Sequence, residues 1–157
     1  GQVLDLPPDV QKKELITRAS LKGLVLDDSD AKLSGSWTHS TSSTKYVGTG
    51  YLHDGDTEKG EKSLRWEFTA PATGLHELRL GYSSHSNRAT NVPVVLSVNG
   101  TVNDLTINQK EPATIDGLFY ALGKFDVKKG DQIVVTISNK GTDGYVVADA
   151  VQLLAVE

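Results

Sequence analysis

The sequence predicts an all-β domain, a jelly-roll-like antiparallel β-sandwich preceded by a short N-terminal helix or linker. Three observations carry this prediction. Apolar and polar residues alternate along several short segments, as they do in strands that bury one face. Glycine-containing turns separate these segments by roughly 8–12 residues, the spacing typical of sandwiches and barrels. The chain has 157 residues, which fits one domain with its own core.

The N-terminal stretch differs from the rest of the chain. Pro7-Pro8-Asp9 predicts a helix start, the segment 10–20 has no glycine or proline, and Gly23 suits a helix stop. Apolar positions there are only loosely periodic, so a short surface helix and a linker both stay open. The sequence contains no Met, as expected of a module excised from a longer protein. We therefore expect residues 1–23 to be a linker or short helix from an upstream region, and 24–157 to be the β-sandwich binding domain.

Strand predictions follow in order from Leu24. Leu64, Trp66 and Phe68 alternate with charged residues, and the same pattern recurs in later segments. The inward-facing residues of those segments are Leu78, Leu80 and Tyr82; Val92, Val94, Leu96 and Val98; Ile133, Val135 and Ile137; and Tyr145, Val147, Val151 and Leu153. Asn99-Gly100 is a strong hairpin-turn signal.

Composition excludes several functional classes. The chain has 16 Lys and Arg against 20 Asp and Glu, a net charge of -4, so we expect no nucleic-acid partner, since phosphate neutralisation needs a basic face. No apolar run approaches the roughly 20 residues that span a bilayer, so no membrane span is expected in this chain. The absence of Cys excludes disulfides, thiolate metal ligands and thiol catalysis.

Signatures of catalysis are weak. The sequence has no G-x-S-x-G elbow, no H-E-x-x-H pair and no phosphate-binding glycine loop. Asp54, Asp56 and Glu58 share one glycine-bearing turn, where carboxylates more often solvate the turn or bind a cation than hydrolyse a glycosidic bond. A small hydrolase or lyase built on Asp54 and a histidine stays an alternative.

Two acidic features raise the question of a bound cation. Asp27, Asp28 and Asp30 place three carboxylates in four residues, and these repel one another unless solvated, hydrogen-bonded or neutralised. Asp149 occupies an inward-facing position of an apolar strand, in phase with Val147 and Val151. An unpartnered charge at such a position costs several kcal/mol. Its carboxylate therefore accepts protein donors or ligates a metal, and hard oxygen ligands of this kind suit a structural Ca²⁺.

The richest polar loop, residues 83–91, joins two well-patterned strands. Such a loop is where function usually lies, although a merely solvated loop is the alternative. Sugar binding combines an aromatic ring with rigid polar groups. Trp37 is one candidate ring, although a lone Trp is more often packed in the core. The contact residues predicted for a sugar are Trp37, Tyr46, His53, Asp54, His85, Asn87, Arg88 and Asn91.

The segments 27–66, 74–96 and 139–154, taken in this order, resemble the golvesin-type C-terminal domain, also described as a xanthan-lyase-like carbohydrate-binding domain of bacterial secreted enzymes. The resemblance covers Leu24 to about Ala155. It implies a β-sandwich similar to galactose-binding modules, in which an acidic residue on the closing strand, here Asp149, often lies near a structural calcium. His76 departs from the Tyr expected at its position.

Together the residues and the resemblance predict a non-catalytic accessory domain that binds carbohydrate, a polysaccharide, through loops at the sandwich edge. The expected partners are the polysaccharide and an upstream domain of the same parent protein, and the expected location is secreted, periplasmic or cell-surface. A structural domain that packs against an upstream enzyme domain is the alternative, which an exposed apolar patch on one sheet face would favour.

Overall fold

A computed structural model describes residues 15–157 of the chain, which form antiparallel strands and two short 3-10 turns. The turns are Arg18–Ser20 and Asp28–Asp30. The strands are β1 (Leu24–Asp27), β2 (Lys32–Ser34), β3 (Thr38–Ser40), β4 (Tyr51–His53), β5 (Ser63–Thr69), β6 (Gly74–Gly81), β7 (Val92–Val98), β8 (Thr101–Ile107), β9 (Phe119–Val127), β10 (Gln132–Ser138), β11 (Val147–Ala148) and β12 (Ala150–Ala155).

Two larger sheets enclose the core. One has four strands in the order β1-β12-β6-β9, and the other has five in the order β2-β5-β10-β7-β8. A third sheet, β11-β4-β3, is smaller. All of the strand pairs are antiparallel. The predicted all-β sandwich is therefore confirmed.

The core residues are those that the alternating pattern predicts to face inward. Leu64 and Trp66 on β5 are fully buried, and so are Leu78 and Leu80 on β6 in the facing sheet. The indole Nε1 of Trp66 donates to the Asp27 carbonyl oxygen at 2.9 Å. This hydrogen bond joins β5 of the five-stranded sheet to the end of β1 in the four-stranded sheet.

The β7–β8 hairpin has the turn that its sequence predicts. Asn99 and Gly100 both adopt positive φ, 48° and 82°, as a two-residue type I′ turn requires. Strand β8 itself was not predicted, because its residues on the outer side of the sheet are exposed and weakly patterned, as Val102 and Asp104 show.

The N-terminal segment packs on the sandwich where the structure describes it. Residues 10–14 of the predicted helix over 10–20 lie outside the described residues. Over 15–20 the chain forms a bridge at Ile16 and the Arg18–Ser20 turn, and no longer helix. The Gly48 amide donates to the Ile16 carbonyl oxygen at 2.6 Å, and Ile16 packs beside Val47 and Phe119. Within residues 15–157, no helix is long and apolar enough to cross a membrane.

Candidate functional site

Three loops meet in a groove of about 550 Å³ at one end of the sandwich. The pairs Gly81↔Phe119 and Val92↔Ile107 bring the β6–β7 and β8–β9 loops to that same end, where the β3–β4 loop joins them. The lining residues are Ser42, Ser43, Thr44, Lys45, Tyr51, Tyr82, Ser83, Ser84, His85, Asn87, Arg88, Pro112, Ala113 and Gly117.

Arg88 is the most deeply placed charge in this groove, with 8% of its surface exposed. Its Nε donates to the Ser83 carbonyl oxygen at 2.8 Å, its Nη2 to Ser83 Oγ at 3.1 Å, and its Nη1 to Asn87 Oδ1 at 2.7 Å. Burial lowers the pKa of the guanidinium, while Tyr51 and Tyr145 oppose this change. The side chain stays charged at neutral pH, because a guanidinium is not deprotonated in proteins.

The backbone of Gly144 and Tyr145 holds the Asn87–Arg88 backbone in place. Ala89 N donates to the Tyr145 carbonyl oxygen and Tyr145 N donates to the Asn87 carbonyl oxygen, both at 2.9 Å. A Cβ atom at Gly144 would lie 2.8 Å from the Arg88 carbonyl group. Only glycine lets the two backbones approach this closely.

Two buried tyrosines line the groove. Tyr51 and Tyr82 are 3% and 2% exposed, so they form its floor and leave the accessible surface to the loops. Although burial raises the pKa of Tyr51, hydrogen bonds to Ser40 and Ser43 and the nearby Arg88 hold that pKa below its ordinary value. Burial raises the pKa of Tyr82 to about 12.

Three of the predicted contact residues line the groove, namely His85, Asn87 and Arg88. Tyr46 lies beside it, with its ring centroid 6.1 Å from that of Tyr51. His53 lies outside the lining. Its ring packs edge-on against Tyr145 at 5.6 Å, and burial lowers the pKa of its imidazole.

Asp54 has a different role from the one expected of a contact residue, because its carboxylate is fully buried. Its Oδ2 accepts from Lys59 Nζ at 2.9 Å and from Asn139 Nδ2 at 3.1 Å. Its Oδ1 accepts from the backbone amides of Asp56 and Val146 at 3.0 and 2.9 Å. Although burial raises the pKa of Asp54, these donors hold it below its ordinary value. The carboxylate is thus not available to a ligand or to a histidine-assisted reaction.

Trp37 and Asn91 also lie away from the groove lining. Trp37 is half-buried against the core, and its Nε1 donates to the Ser63 carbonyl oxygen at 3.1 Å. Asn91 Nδ2 donates to the Gly141 carbonyl oxygen at 2.9 Å, and its Oδ1 accepts from Asp143 N at 3.1 Å. Both side chains therefore brace the fold.

Several lining residues are not among the predicted contact residues, chiefly Lys45, Tyr82 and Ser83. Lys45 is exposed and donates from Nζ to the Asp116 carbonyl oxygen, which joins the β3–β4 loop to the β8–β9 loop. Tyr82 was assigned only to the core. The hydroxyl-bearing residues Ser42, Ser43 and Thr44 next to Lys45 were the local signal, since a hydroxyl-rich loop in a folded domain can bind a polar ligand.

A second cluster consists of Asp27, Asp28 and Asp149, which each offer one carboxylate oxygen within 4.8 Å of the others. Asp149 is 2% exposed and Asp28 is 9% exposed. Asp149 Oδ2 accepts from Val47 N at 2.9 Å. Asp149 Oδ1 and Asp28 Oδ2 are buried with no hydrogen-bond partner among the described residues.

The charges of this cluster are not balanced within the part of the chain that is described, since none of its ion pairs includes one of the three carboxylates. Burial raises the pKa of Asp149 well above its ordinary value, and burial with the Asp27 charge raises the pKa of Asp28 to about 7. Carboxylate oxygens with free lone pairs are the ligands that Ca²⁺ takes at 2.3–2.6 Å. The three side chains therefore fit a hard divalent cation.

The fold places the chain among two-sheet β-sandwiches. It is similar to the structure of a family 35 carbohydrate binding module from Clostridium thermocellum, at 15% identity and a TM-score of 0.58, over 87% of this chain and 100% of that one. That likeness concerns the fold.

Residues 24–155 match the Golvesin C-terminal domain, and the chain belongs to this family. The resemblance stated from the sequence is thus confirmed. A xanthan lyase of Bacillus sp. (strain GL1) is 30% identical over 142 residues, which are 87% of this chain and 15% of that protein. The structure of a Paenibacillus xanthan lyase is similar at 34% identity and a TM-score of 0.76, over 85% of this chain and 13% of the other. The chain therefore spans a small part of the length of these relatives.

Proposed function

We propose that this domain is a non-catalytic accessory module that binds polysaccharide in the groove at the end of the sandwich. The observation that carries the proposal is the groove itself, in which hydroxyl, amide, imidazole and guanidinium groups from three loops face one cavity of about 550 Å³. Such a set of donors and acceptors suits the hydroxyl groups of a sugar. The Clostridium thermocellum module with the same fold is described as carbohydrate binding, which supports this function.

The proposed setting is a larger exported protein in which an upstream domain acts on the polysaccharide, as the similarity to two xanthan lyases suggests. We place that protein in a secreted, periplasmic or cell-surface location, where polysaccharides are accessible. A single groove of this size binds weakly, with a Kd on the order of micromolar to millimolar. Tethering raises the effective concentration of the partner domain at its substrate.

The alternatives find less support. A hydrolase or lyase built on Asp54 lacks an available acid, because this carboxylate is buried and fully hydrogen-bonded. A contiguous apolar face would favour a role in docking against an upstream domain. Among the described residues, one large exposed apolar side chain, Leu15, precedes the first strand. The others are distributed over strands of both larger sheets, at Leu33, Leu75, Val95, Val102 and Tyr120.

The test is affinity gel electrophoresis of the chain against a panel of neutral and acidic polysaccharides. We expect retardation by at least one polysaccharide, and His85→Ala to weaken it several-fold, because His85 is exposed and lines the groove. Gln132→Ala is the matched control, since Gln132 is exposed at the start of β10, away from the lining. A panel without any retarding polysaccharide would contradict the proposed function.

We also propose that Asp27, Asp28 and Asp149 hold a structural Ca²⁺. The ion would supply positive charge to the two unpartnered carboxylate oxygens. It would also fix the β3–β4 loop, because Asp149 accepts from Val47 N and the Asp27 carboxylate lies against Gly48. Both contacts lie within three residues of Lys45 in the groove lining.

Calcium is tested by its effect on thermal unfolding. We expect 1 mM Ca²⁺ to raise Tm over the chelated protein, because a ligand that binds only the folded state stabilises it by mass action. Asp149→Asn should abolish this difference, whereas Asp104→Asn, which changes an exposed residue on β8, should retain it. A Tm of the wild type that is identical in Ca²⁺ and in chelator would exclude the site.

A further inference from the structure

The groove contains an uncompensated positive charge. Arg88 is 8% exposed, and no ion pair between residues 15–157 includes it. It donates to neutral groups, the Ser83 carbonyl and hydroxyl oxygens and the Asn87 amide oxygen. A buried guanidinium without an acidic partner is costly, and this cost is offset when an anion binds beside it.

The other formal charge among the described lining residues, that of Lys45, has the same sign. Lys45 is exposed in the groove, and no Asp or Glu side chain is among the described residues that line it. The chain as a whole carries a net charge of -4, so this basic groove is a local departure from the overall charge. A region of one sign in a concave site concentrates ligands of the opposite sign.

The donors around Arg88 are suited to a planar anion. The guanidinium has more N–H groups than Ser83 and Asn87 occupy, and the Tyr51 hydroxyl lies within hydrogen-bond reach of it. Arginine recognises carboxylates through parallel N–H donors. The hydroxyl groups of Ser42, Ser43 and Ser84 line the same cavity and suit the neutral part of a sugar ring.

We propose that the groove selects a sugar residue that carries a carboxylate, and that the positively charged side chains of Arg88 and Lys45 bind this carboxylate. This inference rests on the proposed polysaccharide binding and specifies the class of sugar. The bound carboxylate would neutralise the positive charge of Arg88. The exposed Lys45 would add a second electrostatic attraction, which salt screens. A neutral polysaccharide leaves the Arg88 charge without a partner.

The experiment compares one acidic polysaccharide, polygalacturonate or another uronate polymer retained by the wild type, with its carboxyl-reduced form. Reduction removes the charge and leaves the backbone linkages unchanged. We expect at least about tenfold weaker binding to the reduced polymer, which corresponds to the loss of one charge-assisted hydrogen bond. Binding to the acidic form should also weaken as NaCl is raised from 50 to 500 mM.

Lys45→Gln and Lys45→Glu test the protein side, because Lys45 is exposed and its replacement should leave folding intact. We expect the affinity for the acidic polymer to fall several-fold in the first and further in the second, with a smaller salt dependence. Lys124→Gln is the matched control on an exposed position of β9 and should bind as the wild type does.

The outcomes separate this inference from the proposed function. Equal or tighter binding of carboxyl-reduced or other neutral polymers overturns the carboxylate selectivity and leaves polysaccharide binding intact. Retention of sulfated polymers alone also overturns it, since the recognised group would then not be a carboxylate. If no polysaccharide of any kind binds the wild type, both the proposed function and this inference fail.

Discussion

At the scale of single residues, Asp54 shows how a polar side chain can be committed entirely to the fold. Its two oxygens accept four hydrogen bonds, and its own carbonyl oxygen accepts from Lys62 Nζ at 2.6 Å. Lys62 is itself 5% exposed. These contacts tie the 54–62 turn to Asn139 and Val146, which lie far away in the sequence.

Asp54→Asn is expected to lower the free energy of unfolding by about 2–4 kcal/mol, because it removes a buried charge and presents N–H groups to donors. Urea denaturation at pH 7 measures the change. Asp56→Asn is the matched control, because the Asp56 side chain is 44% exposed and exposed ion pairs contribute little.

The contribution of Asp54 to the free energy of unfolding also depends on pH in a defined direction. The folded pKa lies below its ordinary value, so the stability from ionised Asp54 is present above the unfolded pKa of about 3.9 and is lost as pH falls through the folded pKa. The difference between wild type and Asp54→Asn should therefore narrow below about pH 4. A difference that stays constant down to acid unfolding would contradict this assignment.

At the scale of elements, the short strand β11 is completed by a side chain. Gln109, in the β8–β9 loop, is fully buried. Its Nε2 donates to the Val147 carbonyl oxygen at 2.7 Å, and its Oε1 accepts from Val147 N at 2.8 Å. This side chain makes the two hydrogen bonds that a neighbouring strand would make, and it connects the β8–β9 loop of the groove to β11.

Gln109→Leu is expected to cost about 2–4 kcal/mol of unfolding free energy, since it leaves a buried N–H and a buried C=O of Val147 without these partners. Thermal or urea unfolding measures the loss. Gln132→Leu makes the same chemical change at an exposed position, and should stay within about 0.5 kcal/mol of the wild type. Equal stability of both variants would show that water replaces the Gln109 contacts.

At the scale of the whole molecule, the sandwich brings together groups that lie far apart in the sequence. Asp27 ends β1, Asp28 begins the turn that follows it, and Asp149 lies between β11 and β12. Their carboxylates meet because β1 pairs with β12 in the register Asp27↔Ala150. The groove arises in the same way, since the paired ends of β6–β9 and β7–β8 align their loops.

The sequence predicted the features that depend on local periodicity or local turn chemistry. Alternation marked Leu64, Trp66 and Ile133 as core residues, Asn99-Gly100 marked the hairpin, and parity placed Asp149 inside, as the structure shows. The core predictions depend only on neighbours two residues away, because strand side chains alternate with that period. The hairpin prediction depends only on the two turn residues. The sequence did not predict strands β8 and β9, whose exposed residues blur the alternation.

The sequence by itself determined a β-sandwich of one family, a polar loop over 83–91 and an acidic residue on the closing strand. Only the tertiary structure decided that Arg88 is buried beside Lys45 and Tyr51, that Asp54 is occupied by protein donors, and that Trp37 braces the core. The physical reason is that a side chain's partners depend on the register between distant strands. That register is set by the packing of two whole faces, which no local pattern contains.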